Sequence, residues 1–600
     1  MLDTMKLRHD RAALYVLAAT GLALITILSV WKLKQFKYRL ITESGGAMFY
    51  GMLLGLAVRY LSSDERGHMV NRERVCPCHG LNGTSHILLV NITSQEYLCR
   101  HVGKISQSCS RHSPPFMEIF DLEVLFNLFL PPIIFYGGYT LNQKRFIRNL
   151  GSVLTFAFVG TMISCLCIGA CTYGFTRLMV LLDPAKDGQF SLTDCLLFGA
   201  IMSATDPVSI LGLLSDLHVD LDLHTLLFGE SVLNDAVAIV LTHAIATYDQ
   251  MGTGHVFDPA AFIHSVGFFL GVFIGSFLLG FIFSVITALL TKFTRLRENP
   301  LLETSVFLLL SWSSFLSAEA SGLSGIVAVL FCGLSQARYT SLNLSPEGRT
   351  RSKQLFEVFT FLGEIFIFSY MGCMLLMFHH HGFSPLFISG AVISIFISRA
   401  CNIYPVSFLL NLGRTNKISY AFQHFMMFAG LRGAVAFSLA VRDTSTGARC
   451  NILTTTLLLV AFTVWVLGAA ADPLVHRLDI RVGENADEDS QDFSSQVAEI
   501  TQGLWHRLDY IYLKPVLTHS GPPLTDSLPQ CCGVLARVFS TSKVKECEEQ
   551  LCETEPDDTA VNLEKAELAS TGGDSGSQHC EDLLEGDLGL GTSPGLVMVA

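Results

Sequence analysis

Residues 229–241 read GESVLNDAVAIVL. Glu230, Ser231, Asn234 and Asp235 interrupt a run otherwise apolar enough to cross a membrane. On a helix, residues four apart share a face. Ser231 and Asp235 therefore make one polar face, and Glu230 and Asn234 make another, about one hundred degrees round. An ionised side chain at the bilayer centre costs at least about 2.5–3.5 kcal/mol on insertion scales. Such residues face water-filled cavities and act on ions or protons. A carboxylate with a hydroxyl one turn away is a hard-oxygen site, suited to a small cation rather than a soft metal. The plainer alternative is hydrogen-bonded glue between helices, for which two carboxylates are an expensive choice.

The rest of the chain supports a membrane setting. Half of its 600 residues are hydrophobic and 15% are charged. Uncharged runs of about 18 residues or more recur, each long enough to span the hydrocarbon core as a helix. We place spans at 12–31, 41–61, 119–140, 150–173, 191–217, 225–247, 260–290, 301–319, 322–337, 355–378, 383–411, 420–441 and 451–471. The 260–290 run predicts a steep tilt or two pieces. The fold class is an all-α polytopic membrane protein of about thirteen helices. A β-barrel would need short alternating segments, and none dominate. The net charge of −12 belongs to the far end: fourteen acids face one base, Lys565, from Glu546 onward. That stretch reads as a solvated, disordered tail, and the composition points to no nucleic-acid partner.

Lysine and arginine set the orientation. One series of loops carries Lys32/Lys34/Lys37/Arg39, Lys144/Arg145/Arg148, Lys292/Arg295/Arg297, Arg338/Arg349/Arg351/Lys353 and Arg414/Lys417. The opposite short loops hold Lys186, Arg442 and Arg449. The first series is cytosolic, which puts the N-terminus outside and the chain beyond about 472 inside. The 62–117 loop then falls outside. It carries two glycosylation sequons, at Asn82 and Asn91, and four cysteines, Cys76, Cys78, Cys99 and Cys109. Sequons act only in a lumenal or extracellular loop, and four cysteines there suggest two disulfides of open connectivity. The 12–31 run is followed by KLKQFKYR, not by a small-residue cleavage site, and reads as a retained span.

Three further polar clusters lie inside spans. In SATDPVS (203–209), Pro207 removes a backbone donor and disfavours helical geometry at Asp206. That predicts a helix broken near mid-membrane, with carbonyls and the Asp206 carboxylate turned to a ligand, or else a simple kink. In FAGLRGAVAF (428–437), Gly430 and Gly433 flank Arg432 as a second break. With span seven linking two six-span halves, both breaks fall in the fifth span of their half, a pointer to a transporter's binding site. Arg399 lies deep enough to need a counter-ion, and Glu230 is the natural candidate, with Asn234 as an extra acceptor; the alternative is a snorkelling arginine. Glu364 and Glu319 line a cavity or pair locally. His379–His381 read as a lumenal loop. Gly267/Gly271/Gly275 and Gly51/Gly55 permit close helix packing, within or between subunits.

GESVL is not a G-x-S-x-G elbow, and there is no H-E-x-x-H, Walker loop or G-x-G-x-x-G. The expectation is a non-enzyme without a cofactor, driven by an ion gradient. Two other classes remain on these residues: a channel or receptor with a structural polar core, and an intramembrane enzyme with Asp206 and Asp235 as a dyad.

Several segments together resemble the sodium/proton exchangers. They are PPIIFYGGY (131–139), SATDPVS, LLFGESVLNDAVAIVL (226–241), MFAGLRGAVAFSLA (427–440), the 301–333 run and CNIYPVSFLLNLGR (401–414). ILLVNITSQ (87–95), THSGPPLT (518–525) and EGDLGLG (585–591) are similar to the endosomal, organellar branch. The resemblance implies inverted repeats with two crossing unwound helices, at Thr205-Asp206-Pro207 and at Gly430–Gly433 with Arg432. It implies that Asp235 of the Asn234-Asp235 pair binds either cation or proton, with Ser231, Thr205 and Asp206 completing the cation shell. Glu230 and Arg399 would form a structural ion pair. The implied partners are Na+, K+, H+, membrane lipids and a second copy, with unidentified cytosolic partners for the tail. The implied location is recycling or late endosomes, with cycling through the plasma membrane.

The implied organisation is an exchanger domain over 1–471, a juxtamembrane region over 472–545 and an acidic tail over 546–600. Within the first, a mobile core (about 150–247 and 383–471) moves past a dimerisation part (about 12–140 and 260–380). One departure stands out. Some relatives carry an acid after the PPII segment that helps ligate the ion, whereas this chain has Phe135-Tyr136. The 503–516 stretch has an amphipathic look and is expected on the membrane surface or on a cytosolic partner.

Overall fold

The computed structural model describes residues 17–32, 42–69, 87–92, 95–100, 122–141, 143–182, 190–207, 209–210, 220–251, 258–377, 384–414, 417–444, 446–478, 480, 509 and 513–518. The acidic tail, Asn82, Cys76, Cys78, Cys109 and His379–His381 lie outside the described residues. Each segment read from hydropathy contains helix. Among the described residues, seven helices are long and apolar enough to cross a membrane, and shorter apolar helices accompany them.

The chain opens with α1 (Leu17–Lys32) and α2 (Glu43–Met69). An antiparallel hairpin follows, β1 (Ile87–Ile92) paired with β2 (Gln95–Arg100). This hairpin is missing from the sequence reading, and it seats Asn91 opposite Glu96 and Cys99 opposite Leu88. Next come α3 (Leu122–Thr140), α4 (Gln143–Thr155), a π-turn at Phe156–Gly160 and α5 (Thr161–Leu182). Ser191 starts α6 (Leu192–Ser203) with a capping box to Asp194. Then follow α7 (Leu221–Met251), α8 (Pro259–Phe293), α9 (Pro300–Ala320), α10 (Gly325–Arg338), the short α11 (Thr340–Asn343) and α12 (Pro346–Met377). The chain continues through α13 (Pro385–Gly413), α14 (Tyr420–Phe428), α15 (Ala434–Val441) and α16 (Gly447–Phe462). A second π-turn (Thr463–Leu467), α17 (Gly468–Arg477) and α18 (Lys514–Leu517) complete it. The 260–290 run is one continuous helix, α8, with Pro259 at its first position and Asp258 as its cap, accepting from the Ala260 amide at 3.0 Å.

Packing falls into two groups. In one, α2 lies along α12, α12 packs on α3, and α8, α9 and α10 pack together. In the other, α5 packs between α6 and α13, with α7 and α16 against α6. The α2–α12 contact is close because glycine leaves room. A Cβ on Gly51 would lie 2.1 Å from the Ser369 carbonyl oxygen, and one on Gly372 would lie 2.1 Å from that of Met48. By contrast, nothing stands within 4 Å of a Cβ built on Gly267 or Gly271.

Polar contacts collect at the two ends of the bundle. At one end Arg148 binds Asp222, and Arg414 donates to Asn149 and Ser152. At the other, Arg449 meets Asp194, Asp249 and Asp443. These sets correspond to the two loop series separated by charge in the sequence.

Of the 503–516 stretch, Asp509 and residues 513–516 are described. Its described residues pack on the chain itself. Asp509 accepts from Arg338 and, at 2.6 Å, from Tyr339. The Lys292 ammonium donates to the carbonyls of Pro515 and Val516 at 2.7 and 2.9 Å. Asn343 donates to the Leu517 carbonyl at 2.7 Å. Leu517 is buried with Ala288 and Tyr339, and Leu513 and Val516 pack around them. Leu513, Val516 and Leu517 thus pack on α8 and the α10–α11 junction; the rest of the 503–516 stretch, 503–508 and 510–512, lies outside the described residues.

Candidate ion-binding site

The two interrupted helices meet in the middle of the second group. α6 ends at Ser203, and Ala204 takes an extended conformation (ψ 136°). α14 ends at Phe428, and helix resumes only at Ala434. The two irregular segments pair through their backbones, with the Asp206 amide donating to the Leu431 carbonyl at 2.9 Å. Both sequence-predicted breaks are present, and they cross.

Breaking a helix strands carbonyls that would otherwise accept from the next turn. Arg432 answers this need. Its side chain is fully buried, and Nη1 donates to the carbonyls of Ser203 and Ala204 at 3.1 and 2.8 Å. A cation at a helix C-terminus is favourable for the same reason. The Arg432 amide donates to Thr463 of the second π-turn at 3.2 Å. Sequence reading marked Arg432 only as part of a break; its counter-charge role needed the crossing to be visible.

Glycine at the crossing is a matter of space. A Cβ on Gly433 would stand 2.4 Å from Asp206 Oδ2, and one on Gly430 would stand 3.0 Å from Arg399 Nε. Gly433 has φ −154°, an extended backbone open to any residue, so close approach alone demands glycine there.

α7 delivers the opening stretch to this crossing. Asp235 is 1% exposed, and neither carboxylate oxygen has a hydrogen-bond partner. Asp206 and Arg432 are its charged neighbours. Asp206 is 7% exposed and accepts from Ser209 at 2.5 Å. Ser231 is buried and donates back to the Leu227 carbonyl at 3.0 Å, which commits its hydrogen and not its lone pairs. Thr205 is buried, with its hydroxyl oxygen 3.4 Å from Asn234 Nδ2.

The Glu230–Arg399 pair forms as expected, at 2.7 Å and with both partners buried. Asn234 does not join it. Arg399 instead gives its second amino group to the Met426 carbonyl at 2.6 Å. Asn234 Oδ1 accepts from Thr161 at 2.7 Å, and Nδ2 donates to the Ser203 carbonyl at 2.8 Å. Asn234 therefore ties α7 to the broken end of α6. The i,i+4 spacing placed Glu230 and Asn234 on one face but could not say which neighbour each would meet.

Other sequence candidates resolve. Glu319 pairs locally, accepting from the Gly325 amide at 2.9 Å. Glu364 Oε1 is hydrogen-bonded to Ser44 Oγ at 2.5 Å. Phe135 is buried against Phe307 and Phe356. Thr161 and Thr463, delivered by the two π-turns, escaped the sequence reading because hydropathy carries no trace of a π-turn.

A buried carboxylate at the crossing of two broken membrane helices defines an ion-coupled transporter. The transmembrane sodium/hydrogen exchanger family matches residues 21–477, and the chain belongs to that family. Cation/proton antiport is its activity class. The chain is similar to sodium/hydrogen exchanger 9 of Homo sapiens, 48% identical over 98% of this chain and 96% of that protein. Sodium/hydrogen exchanger 7 of Homo sapiens is 45% identical, covering 92% of this chain and 81% of that one. Among solved structures, the sodium proton antiporter MjNhaP1 of Methanocaldococcus jannaschii superposes with a TM-score of 0.50 at 18% identity. That match covers 78% of this chain and 99% of that chain.

Proposed function

We propose that the chain exchanges Na+ or K+ for H+ one for one, with Asp235 as the group that takes either the cation or the proton. The carrying observation is the Asp235 carboxylate, 1% exposed and with both oxygens unpaired. A buried carboxylate without hydrogen bonds is costly unless it is neutralised, by a cation or by a proton. Competition for one group then enforces exchange without a separate gate for each ion. Asn234 is neutral and committed to Thr161 and Ser203, so the pair offers one titrating carboxylate and supports electroneutral exchange.

Thr205, Asp206 and Ser231 complete the cation shell, and Arg432 holds the broken end of α6 in place. The packing group with α5–α7 and α13–α16 acts as the mobile core. The group with α2, α3, α8–α10 and α12 acts as the dimerisation part, in an alternating-access cycle. The similarity to sodium/hydrogen exchangers 9 and 7 and the organellar-type sequence details support an endosomal membrane, regulation of lumenal pH and a homodimer. The N-terminus and the 62–117 loop face the lumen, and the C-terminal region faces the cytosol.

The test is proton flux driven by a Na+ or K+ gradient in proteoliposomes. Asp235→Asn abolishes it while the protein still reconstitutes; flux that persists in Asp235→Asn refutes the assignment. Proton competition has a second signature: the apparent KM for the cation rises as the pH on the cation side falls.

A further inference from the structure

The stretch after Pro131-Pro132 holds Phe135-Tyr136 and no acid. An acid does reach toward the site from another helix. Ser44 Oγ, on α2, lies 2.5 Å from Glu364 Oε1, on α12. Ser209, beside the break, donates to Asp206 Oδ2 at 2.5 Å. The two serine oxygens lie 3.2 Å apart. Each serine has one hydrogen, so three links need a third hydrogen, and a proton on Glu364 supplies it: Glu364 donates to Ser44, Ser44 to Ser209 and Ser209 to Asp206, which links the α2–α12 pair to the helix crossing. Ser44, Ser209 and Asp206 are all buried, at 3%, 8% and 7% exposure.

We propose that Glu364 is a positioning residue for transport, fixing the orientation of Asp206 through Ser44 and Ser209 and so setting the affinity for the cation. The proposal rests on the reading of Asp206 and Asp235 as the cation site. The terminal torsion of an aspartate is broad and roughly two-fold, so an unheld carboxylate swings. A hydroxyl on one oxygen pins it, and that hydroxyl is held in turn by what it touches. Among the described residues, the charged groups facing Glu364 are Asp206 and Glu43, both acids, and no salt bridge accounts for its place. The chain also crosses between the two packing groups, so it forms in this arrangement of the bundle.

The test is initial-rate exchange by purified protein in proteoliposomes, with the cation, Na+ or K+, that gives the larger flux. Ser44→Ala and Glu364→Ala each raise the KM about tenfold with the maximal rate within about threefold, the scale of one lost charge-assisted hydrogen bond. Ser44→Thr keeps the hydroxyl and returns the KM to within about twofold of the parent. The Ser44→Ala/Glu364→Ala double variant is no worse than Glu364→Ala alone, because both break one chain. A KM unchanged in both single variants overturns the proposal, as does a double variant whose effects multiply. Should Glu364→Ala fail to give monodisperse protein, the Ser44→Ala/Ser209→Ala cycle carries the same test. Asp235→Asn in the same vesicles separates the two readings. Exchange that persists there removes the site itself, whereas lost exchange there with unmoved KM values elsewhere removes only the role of Glu364.

Discussion

At the scale of single residues, burial makes each polar group at the crossing depend on a named partner. Arg399 is 4% exposed and leans on Glu230 and the Met426 carbonyl. Removing one member of such a pair strands the other and costs about 3–5 kcal/mol. Arg399→Met therefore lowers the melting temperature in detergent sharply, and adding Glu230→Leu recovers part of the loss. Gly433 has no partner to lose, only space. The Cβ of Gly433→Ala would meet Asp206 Oδ2 at 2.4 Å, so exchange falls by about tenfold or more while the protein stays folded. Proteoliposome flux alongside a size-exclusion profile checks this. Glu230–Arg399 was legible from sequence because an arginine deep in a span needs an acid. The turn of Asn234 toward Thr161 and Ser203 was not, since helical spacing assigns a face and leaves the neighbour unnamed.

At the scale of elements, the two breaks share a physical origin but differ in how the sequence writes them. Pro207 removes a donor and constrains the residue before it, so the first break announces itself. The second is written by Gly430 and Gly433, whose need is set by Arg399 and Asp206 across the crossing. The α2–α12 contact follows similar logic. Gly51 and Gly55 abut the backbone carbonyls of Ser369 and Cys373, so this small-residue stripe packs within one chain. Gly51→Val places a branched side chain where a Cβ already comes within 2.1 Å of the Ser369 carbonyl oxygen. The yield of monodisperse protein drops severely, as a fluorescence size-exclusion trace will record. The same helix pair carries Ser44 and Glu364, so a milder spacer such as Gly55→Ala is expected to raise the cation KM before it unfolds the protein.

At the scale of the whole molecule, Asp509 and residues 513–518 are tied to the bundle at three places, through Arg338, Lys292 and Asn343. Burial and the Asp509 carboxylate both push the Tyr339 phenol above its usual range, so it stays a neutral donor. Asp509 is 1% exposed, and without Arg338 its charge is left largely uncompensated. Arg338→Ala is expected to speed limited proteolysis within 509–518 by about tenfold or more, on the arithmetic of 1.4 kcal/mol per decade. An unchanged cleavage rate would show that the apolar contacts of Leu517 hold the segment alone. Topology has its own check. Enzymatic deglycosylation shifts the mass of the parent chain, and the Asn82→Gln/Asn91→Gln double variant shows no shift.

The sequence by itself determined the membrane class, the helical spans, the two breaks and the acid–amide–hydroxyl cluster on α7. Those features depend on hydropathy, on proline and on the cost of burying charge, all of which act along the chain. Only the tertiary structure decided that Arg432 caps the broken α6, that Asn234 serves that break, and that Asp509 and 513–518 pack on the bundle. It alone joined Glu364 to Asp206 through two serines. Ser44 and Glu364 are 320 positions apart in the chain, and no local periodicity carries contacts over that separation. A hydrogen bond depends on where two helices cross, and the crossing is set by packing between elements.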